Sequence, residues 1–590
     1  MSDSTNSGSS ALLKALEAER IGHLFLVPGG MIDPLMKEFG EKDWKISPIV
    51  AAHEGGAAFM ADGYGRANGS FGAVAVIGGP GVANMVGALA SALADQSQVL
   101  ALIGEINTSI TGKGAFQDGS SVGLDDLAYL KPVTVWAQDI PTVGLFSARL
   151  NAGLREMLGT PSGPTALTIP MQILEKKVPG EYRKVDRVSR NPPMFLDRKQ
   201  ASNASHHLLR SNLPMIIAGS GCSHSYVDAD GNSSYKASDN LVSFAEMYEI
   251  PVATTQKAKG VFPEDHPLSL GVFGYAGSRQ AIEAILNHEP DLIIAIGTSL
   301  NQRNTMKWHE SLSNAKIVHV DVSPKAFERN YRSDVKVRSD ASEFLSYLCE
   351  IEDTPDKPFR SSLKNNREKR RDWLKEIKSH NRHYNVDEAD KNTTAIPIHP
   401  GHAVRVLNSL APTDSVVLVD SGAHRAFVGH YWQSKSPNSY LTATTLAPMG
   451  WAIAAAVGAK LARPDRPHIC FTGDGCMLMH GMEIQTAQKY EVEVVFVVMN
   501  NASLGNVYLR TQKMGTKSQE IAKLPSHDWQ SFAKAFGVAS AIVEDPNDLE
   551  PTFRRALAHK GGPFLIDIRC DQLVKTPVGP WPDIQMASHD

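Results

Sequence analysis

Three stretches of this sequence alternate short apolar runs with Ala-rich helical segments, and that alternation leaves few folds open. The first, from about residue 10 to 185, holds HLFLV (23–27), GAVAVIG (72–78) and QVLALIG (98–104), with GAAFMADGYGRA between the first two runs. The second holds PMIIAGS (214–220), PVATT (251–255), DLIIAIG (291–297) and KIVHVDV (316–322). The third holds SVVLVD (415–420), HICFTGD (468–474), VEVVFVVMN (492–500) and PFLIDIR (563–569). Near-continuous apolar runs of this length belong to strands buried on both faces. Their alternation with helices predicts parallel sheets covered by helices on both sides. The expected fold class is α/β, with three doubly wound parallel-sheet domains at 1–185, 195–352 and 396–575, and a tail at 576–590. A Pro-rich stretch, Lys176–Pro193, reads as the first linker. The charged stretch 353–395, around KNNREKRRDWLKEIKSHNRHYN, reads as a second linker and a solvated helix rather than a nucleic-acid patch.

Composition narrows the class further. A chain that is 42% hydrophobic and 21% charged is a globular protein rather than a disordered or membrane one. A formal net charge of -4 removes the basic field that nucleic-acid binding needs. Five cysteines (Cys222, Cys349, Cys470, Cys476, Cys570) form no CxxC pair, which argues against a disulfide framework or a zinc site and suits a reducing compartment. The start MSDSTNSGSS lacks the features of a signal or transit peptide, and no apolar stretch reaches the roughly 20 residues of a membrane span. The expected location is cytoplasmic, with no membrane partner.

The most specific chemical signal is GDG at 473–475 followed by NN at 500–501. Asp474 ends one apolar strand, a helix follows, and a second strand delivers Asn500 and Asn501. In a parallel sheet both lie at carboxyl ends of neighbouring strands, where ligands bind. Gly473 and Gly475 let a phosphate approach the backbone, and the next helix points its partly positive N-terminus at the anion. A diphosphate needs a hard cation with oxygen ligands. Mg²⁺ takes few of these from the protein, so one carboxylate and one carboxamide oxygen suit it. Gly-Asp-Gly alone is ordinary turn chemistry; the second element, 27 positions later, supplies the specificity.

The pair GDGCMLMH and VVFVVMNNASLG resembles the cofactor-binding motif of the thiamine diphosphate (ThDP)-dependent enzymes, with the acetolactate synthase and pyruvate oxidase group nearest. FLVPGGMIDPL, HEGGAAFMADGYGRA, GGPGVANMV, LIGEIN and GAFQD resemble that family's pyrimidine-binding domain. KAKGVFPEDHPLSLGVFG and DLIIAIGTSLNQR resemble its middle domain, and APMGWAIAAAVGAKLARP its diphosphate-binding domain. The resemblance implies that Asp474, the Asn501 side chain and the Ser503 carbonyl hold Mg²⁺. It implies that Glu54 activates the cofactor through its aminopyrimidine, and that Met449, 25 residues before Asp474, wedges between the cofactor rings. Gly30, Pro80 and Asn84 match positions near the pyrimidine. Ser421, Gly422 and His424 match the first diphosphate loop. Ala447, Gly473, Gly475, Cys476, Leu504 and Gly505 complete the cofactor set. Gln117 and His480 are the further catalytic candidates; His53, beside Glu54, is a weaker one, since neighbours in sequence need not share a pocket.

Two departures from the family pattern bear on substrate. Glu105, in LIGEIN, stands where the synthases usually have glutamine, and Arg510 stands near the place of a tryptophan that shapes the acceptor pocket. An acid at Glu105 repels a carboxylate substrate or needs a partner, whereas Arg510 offers a fork for a carboxylate or phosphate. Compensation between the two is open. The middle domain has a Gly219-Ser220-Gly221 turn and Arg303, but Asn301 and Gln302 replace the usual acids and YVDADGNSSYKASDN is inserted, so FAD, ADP or neither is open there. The activity implied is a lyase or carboligase acting on a small-molecule carbonyl substrate, a 2-oxo acid or related acyl donor. A simple decarboxylase, a 2-hydroxyacyl or diketone lyase, and a flavin-containing oxidase are the alternatives. The resemblance further implies a homo-oligomer, a dimer at least and a tetramer by preference, with ThDP between subunits.

Overall fold

A computed structural model describes residues 6–179, 182, 184, 195–224, 226–227, 233–234, 236–353, 359–384 and 392–577. Three six-stranded sheets dominate it, and every strand pairing within them is parallel. The α/β expectation holds. The N-terminal sheet runs Ser47–Val50, His23–Leu26, Gly72–Ile77, Val99–Glu105, Thr165–Pro170 and Trp136–Asp139. The C-terminal sheet runs Tyr440–Leu441, Val416–Val419, His468–Gly473, Val494–Asn500, Phe564–Arg569 and Ala539–Val543. Numbered along the chain, both orders are 2-1-3-4-6-5. The middle sheet differs: Ser269–Val272, Val252–Thr254, Pro214–Ala218, Leu292–Ile296, Lys316–Asp321 and Val335–Arg338 give 3-2-1-4-5-6.

Strands of continuous Val, Ile, Leu and Ala form the cores because both faces are covered. Val99–Glu105 and Val494–Asn500 are buried at every position. The strands that the apolar runs do not signal are those with mixed or short sequences at the sheet edge, such as Trp136–Asp139, which is only partly buried, and Val335–Arg338, which alternates buried and exposed residues.

The N- and C-terminal sheets meet through helices Glu54–Asn68 and Trp451–Ala462. Both are small-residue helices buried almost throughout, and they pack backbone to backbone. A β-carbon on Gly63 would collide with the backbone of Ala455, and one on Gly458 with the backbone of Met60. Polar anchors flank this crossing. The Trp451 indole N–H donates to Asp62 Oδ2 at 2.7 Å. Arg66 donates to both Asp62 oxygens at 2.8 and 2.9 Å and to Asp95 at 3.2 Å. Asp95 then accepts from the backbone and hydroxyl of Thr444 and of Thr445 in the C-terminal domain. Lys257 of the middle domain lies 3.8 Å away. One buried network thus ties all three domains.

The charged stretch 353–395 departs from the expected solvated linker. Its described part forms helices Phe359–Asn365 and Arg367–Lys378, which pack on the middle domain. Phe359 and Leu363 join one middle-domain core and Trp373 and Ile377 another. The Trp373 N–H donates to the His288 carbonyl at 2.8 Å. Arg370, Trp373 and Ile377 share a face at helical spacing, and the density of charge around them conceals it. The first linker and the tail lie mostly outside the described residues; of the insertion, Tyr226–Val227 pairs antiparallel with Ser233–Ser234 and the last residues open helix Lys236–Tyr248.

Burial works against the charge on Asp95, but Lys257, Arg66 and the Thr444 and Thr445 donors outweigh it and hold the carboxyl well below its ordinary range. A depressed folded-state value means stability that is complete above the unfolded value of about 4 and is lost as pH falls through the folded one. Asp95→Ala leaves Arg66 and Lys257 short of their partner and lowers unfolding free energy by about 3–5 kcal/mol at neutral pH. Chemical denaturation followed across pH checks this: the gap between wild type and variant stays constant down to about pH 5 and narrows below about pH 4.

Candidate active site

The expected residues fall into two groups. Ser421, Gly422, His424, Ala447, Met449, Gly473, Asp474, Gly475, Cys476, Asn501, Ser503, Leu504 and Gly505 all line one cleft of about 290 Å³. The cleft lies at the carboxyl ends of Val416–Val419, His468–Gly473 and Val494–Asn500, where open parallel sheets place their ligands. Gly30, Glu54, Pro80, Asn84 and Gln117 belong to the N-terminal domain and do not line it.

Asp474 begins a helix directly after its strand and is 1% exposed. Its Oδ2 accepts from the Asn501 backbone N–H at 2.9 Å and its Oδ1 from the Trp529 indole at 3.0 Å. Burial pushes its carboxyl above the ordinary range, and these donors oppose the shift. A cation beside it would favour the charged form further. Strand alternation separates the two asparagines. Asn500 turns into the core, donating to Asp567 at 2.8 Å and to the His527 carbonyl at 3.1 Å. Asn501 turns to the cleft, where its side-chain oxygen accepts from Ser503 Oγ at 3.1 Å.

The glycines here make room. A β-carbon on Gly475 would press on the ends of Met449 and Leu504, and one on Gly473 would lie 2.9 Å from His424 Nδ1. Ala447, at φ 57°, turns its carbonyl to accept from Ser421 Oγ at 2.6 Å, and Cys476 Sγ donates to the Ser421 carbonyl at 3.1 Å. Burial, with a smaller push from Arg425, lowers the His424 pKa to about 3, so its ring is neutral. The His424 Nε2 is buried without a protein partner, as is Asn506 Oδ1 on the same cleft. These unmatched polar atoms fit a polar ligand.

Several contributors escape a sequence reading. Asp420 gathers the loops: Oδ1 accepts from the Ser421 and Gly450 backbones, both at 2.9 Å, and Oδ2 from Thr472 at 3.1 Å. Arg425, 3% exposed, donates to the Asp420 carbonyl at 3.1 Å and to Ser421 Oγ, and lines the cleft with no acidic ion-pair partner among the described residues. Tyr275 also reaches in from the middle domain, beside Arg303, which the sequence already singles out; the guanidinium lies 4.8 Å from the ring centre. A buried cation facing a cleft is a sequence signal only when the register of its helix is known.

In the other group, Glu54 starts its helix, with His53 as N-cap; His53 Nδ1 accepts from the Gly55 N–H at 3.0 Å. Glu54 Oε2 accepts from the Asn84 amide at 2.9 Å. Asn84 sits at the start of the second turn of helix Pro80–Ala94, which Pro80 opens and which follows Gly79 at φ 67°. Gln117, at φ 57°, packs over Gly79, while Gly30 opens a short 3-10 turn with open space beside it. His480 does not line the cleft. It packs against Phe59 and His53, with ring centres at 5.2 and 5.9 Å, and crowds Gly450 beside Met449. Burial first, then His53, lowers its pKa to about 4. Glu105 faces Asp126, another acid, rather than Arg510, which lies on helix Gly505–Thr511.

Comparison with known proteins agrees with this division. Residues 6–124 match the family described as thiamine pyrophosphate enzyme, N-terminal TPP binding domain, residues 201–348 its central domain, and residues 420–568 its C-terminal TPP binding domain. The chain is 30% identical over 590 residues to a probable acetolactate synthase large subunit of Methanocaldococcus jannaschii, covering 97% of this chain and 93% of that one. It is 28% identical to the acetolactate synthase isozyme 3 large subunit of Escherichia coli, over 93% and 92% of the two chains. To acetolactate synthase 2, chloroplastic, of Nicotiana tabacum it is 28% identical, over 96% and 82%. A site split between two like sheets, three matching domains and relatives along nearly the whole length place this chain among the thiamine diphosphate-dependent enzymes, in their acetolactate synthase group.

Proposed function

We propose that this chain is a ThDP- and Mg²⁺-dependent carbon–carbon lyase or carboligase that takes a 2-oxo acid or related acyl donor, in the manner of acetolactate synthase. The observation that carries the reading is the buried Asp474 carboxylate, hydrogen-bonded to the Asn501 backbone at 2.9 Å on the floor of a glycine-lined cleft. Among the described residues, no group of three or more His, Cys, Asp or Glu side chains is placed to hold a metal. One carboxylate, one carboxamide and a backbone carbonyl suit Mg²⁺ that draws its other ligands from phosphate and water.

Asp474, Asn501 and the Ser503 carbonyl would hold the metal. The neutral His424 ring would line the diphosphate site, beside the positive charge of Arg425, with Gly473 and Gly475 leaving the backbone bare. Met449 would set the fold of the cofactor. When bound, the cofactor supplies the electron sink that accepts the pair released on cleavage next to a carbonyl. Glu54, oriented by Asn84, would share a proton with the aminopyrimidine through a charge-assisted hydrogen bond. Gln117 would orient the substrate. His480 is neutral near pH 7 and would act there as a hydrogen-bonding ring rather than a charged acid.

The two groups of residues lie on different domains, and Glu54 does not line the cleft of its own chain. This supports assembly of each site from two subunits, in a dimer at least and a tetramer by preference. Light scattering at assay concentration checks it, and a fully active monomer would refute it. The middle sheet has the 3-2-1-4-5-6 order of dinucleotide-binding folds, with Gly219, Gly221 and Gly297 packed backbone to backbone at its switch point. That order supports a second reading, a flavin-containing oxidase, for which the visible spectrum of purified protein shows a bound flavin.

Glu54→Gln removes the charge-assisted bond and lowers kcat by roughly 10²–10⁴-fold while ThDP still binds. Steady-state assays on 2-oxo acids, with products read by NMR, decide it; an unchanged rate sinks the assignment. Trp529→Phe deletes one of the donors that orient Asp474, and metal affinity of the ThDP complex falls about 10–100-fold. Calorimetric titration with Mg²⁺ measures this.

A further inference from the structure

Glu105 closes the strand Val99–Glu105 at its carboxyl end, 7% exposed, and neither of its carboxyl oxygens has a hydrogen-bond partner. Asp126, wholly buried at the start of helix Asp126–Leu130, faces it. Asp126 Oδ2 accepts from the Gly79 backbone N–H at 2.7 Å, and its Oδ1 also lacks a partner. The two carboxyls occupy one small space. A β-carbon on Gly78 would lie 2.9 Å from Glu105 Oε2 and 2.9 Å from Asp126 Oδ2, and one on Gly119 would lie 2.8 Å from Glu105 Oε2 and also collide with Asp126. The other charges that face the pair are Asp118, toward Glu105, and Asp125, toward Asp126, and both are acidic. Two adjacent buried carboxylates without a cation do not both ionise.

We infer that Glu105 and Asp126 share one proton, and that this acid–carboxylate bridge positions the two loops that frame the N-terminal half of the site. The proton sits on Glu105, whose O–H donates to the Asp126 carboxylate. Asp126 is the ionised partner because its charge is met by the Gly79 N–H. No other group is consumed or released, and the bridge gives Glu105 the hydrogen-bond partner it otherwise lacks. The bridge clamps three backbone segments. Gly78 N–H donates to the Gly104 carbonyl at 2.7 Å, Gly79 N–H to Asp126, and Asp126 N–H to the Gly119 carbonyl at 2.8 Å. Through the first two it fixes the turn that starts helix Pro80–Ala94, and so the amide of Asn84 that meets Glu54. Through the third it fixes the loop that carries Gln117. Glu105 is therefore a positioning residue. Only this consequence rests on the reading of Glu54 given above; the shared proton does not.

Burial first, then Asp126, raises the Glu105 pKa to about 9. A raised folded-state value gives stability that is complete below the unfolded value and is lost as pH rises through about 9. The buried carboxyls of Asp321, Asp420 and Asp567, each raised to about 6, are ionised well before that. The experiment compares wild type with Glu105→Gln and Asp126→Asn by thermal melting from neutral pH to about pH 10 and by infrared spectroscopy. Glutamine keeps the shape and the donor but cannot ionise. The expected result is a fall in the wild-type melting temperature near pH 9 that Glu105→Gln abolishes and Asp126→Asn moves to lower pH. A carboxylic-acid C=O band persists in wild type at neutral pH, fades near pH 9 and is missing from Glu105→Gln. Parallel alkaline loss in wild type and Glu105→Gln overturns the proposal, as does absence of the band from wild type. If the variants fail to fold, the wild-type infrared titration alone decides. None of these readouts depends on turnover, so the proposal fails separately from the assignment of the reaction.

Discussion

Arg66 is the interaction on which the arrangement of this protein depends. It lies on the helix that begins with Glu54, and it is held by Asp62 on that helix and by Asp95 on the same domain. Asp95 in turn gathers the C-terminal Thr444 and Thr445 and the middle-domain Lys257. Buried ion pairs are not intrinsically stabilising, because desolvation offsets much of the attraction. Their strength here is geometric: several donors converge on one carboxylate, and removing it leaves cations buried. The network therefore fixes how the three sheets stand relative to one another more than it adds to their individual stability.

That geometry matters because the chemistry is divided. The proposed metal and diphosphate residues all lie in the C-terminal domain, where Asp420 and Asp474 draw the loops at the strand ends into one cleft that Tyr275 and Arg303 of the middle domain also line. Glu54 with Asn84, the proposed activating pair, sits at the opposite end of the Arg66 helix and outside that cleft. The helix crossing allows almost no adjustment, since Gly63 and Gly458 meet the facing backbone directly. A rigid crossing of this kind holds the two groups of residues in each chain in fixed register.

The fold and half of the candidate site are legible in the sequence for physical reasons. Doubly buried strands are written as unbroken apolar runs, and Asp474 and Asn501 stand at strand ends that those runs locate. Edge strands such as Trp136–Asp139 are only partly buried and leave no such run. The helix Arg367–Lys378 hides a buried Trp373 and Ile377 under charge. Arg425 and Trp529 are likewise silent, because their roles come from where tertiary packing points them: Arg425 toward a cleft, and Trp529 onto Asp474 across 55 positions. Glu105 shows the opposite case. Its oddness is visible as a departure from the family pattern, but its partner, Asp126, is visible only in three dimensions.

The N- and C-terminal sheets share the order 2-1-3-4-6-5, and in each the helix after the second strand is the one that packs against the other domain. One topology is thus used twice with opposite chemistry. In the C-terminal copy, the strand ends carry Asp474, glycines and a neutral His424, which suit a metal and an anion. In the N-terminal copy, the corresponding edge carries acids, with Glu54 at one helix start and Glu105 with Asp126 behind the neighbouring turn. A bound cofactor with an anionic tail and a basic ring is matched at both ends by this polarity. A proton shared between Glu105 and Asp126 leaves one charge on the pair, and the Gly79 N–H meets it.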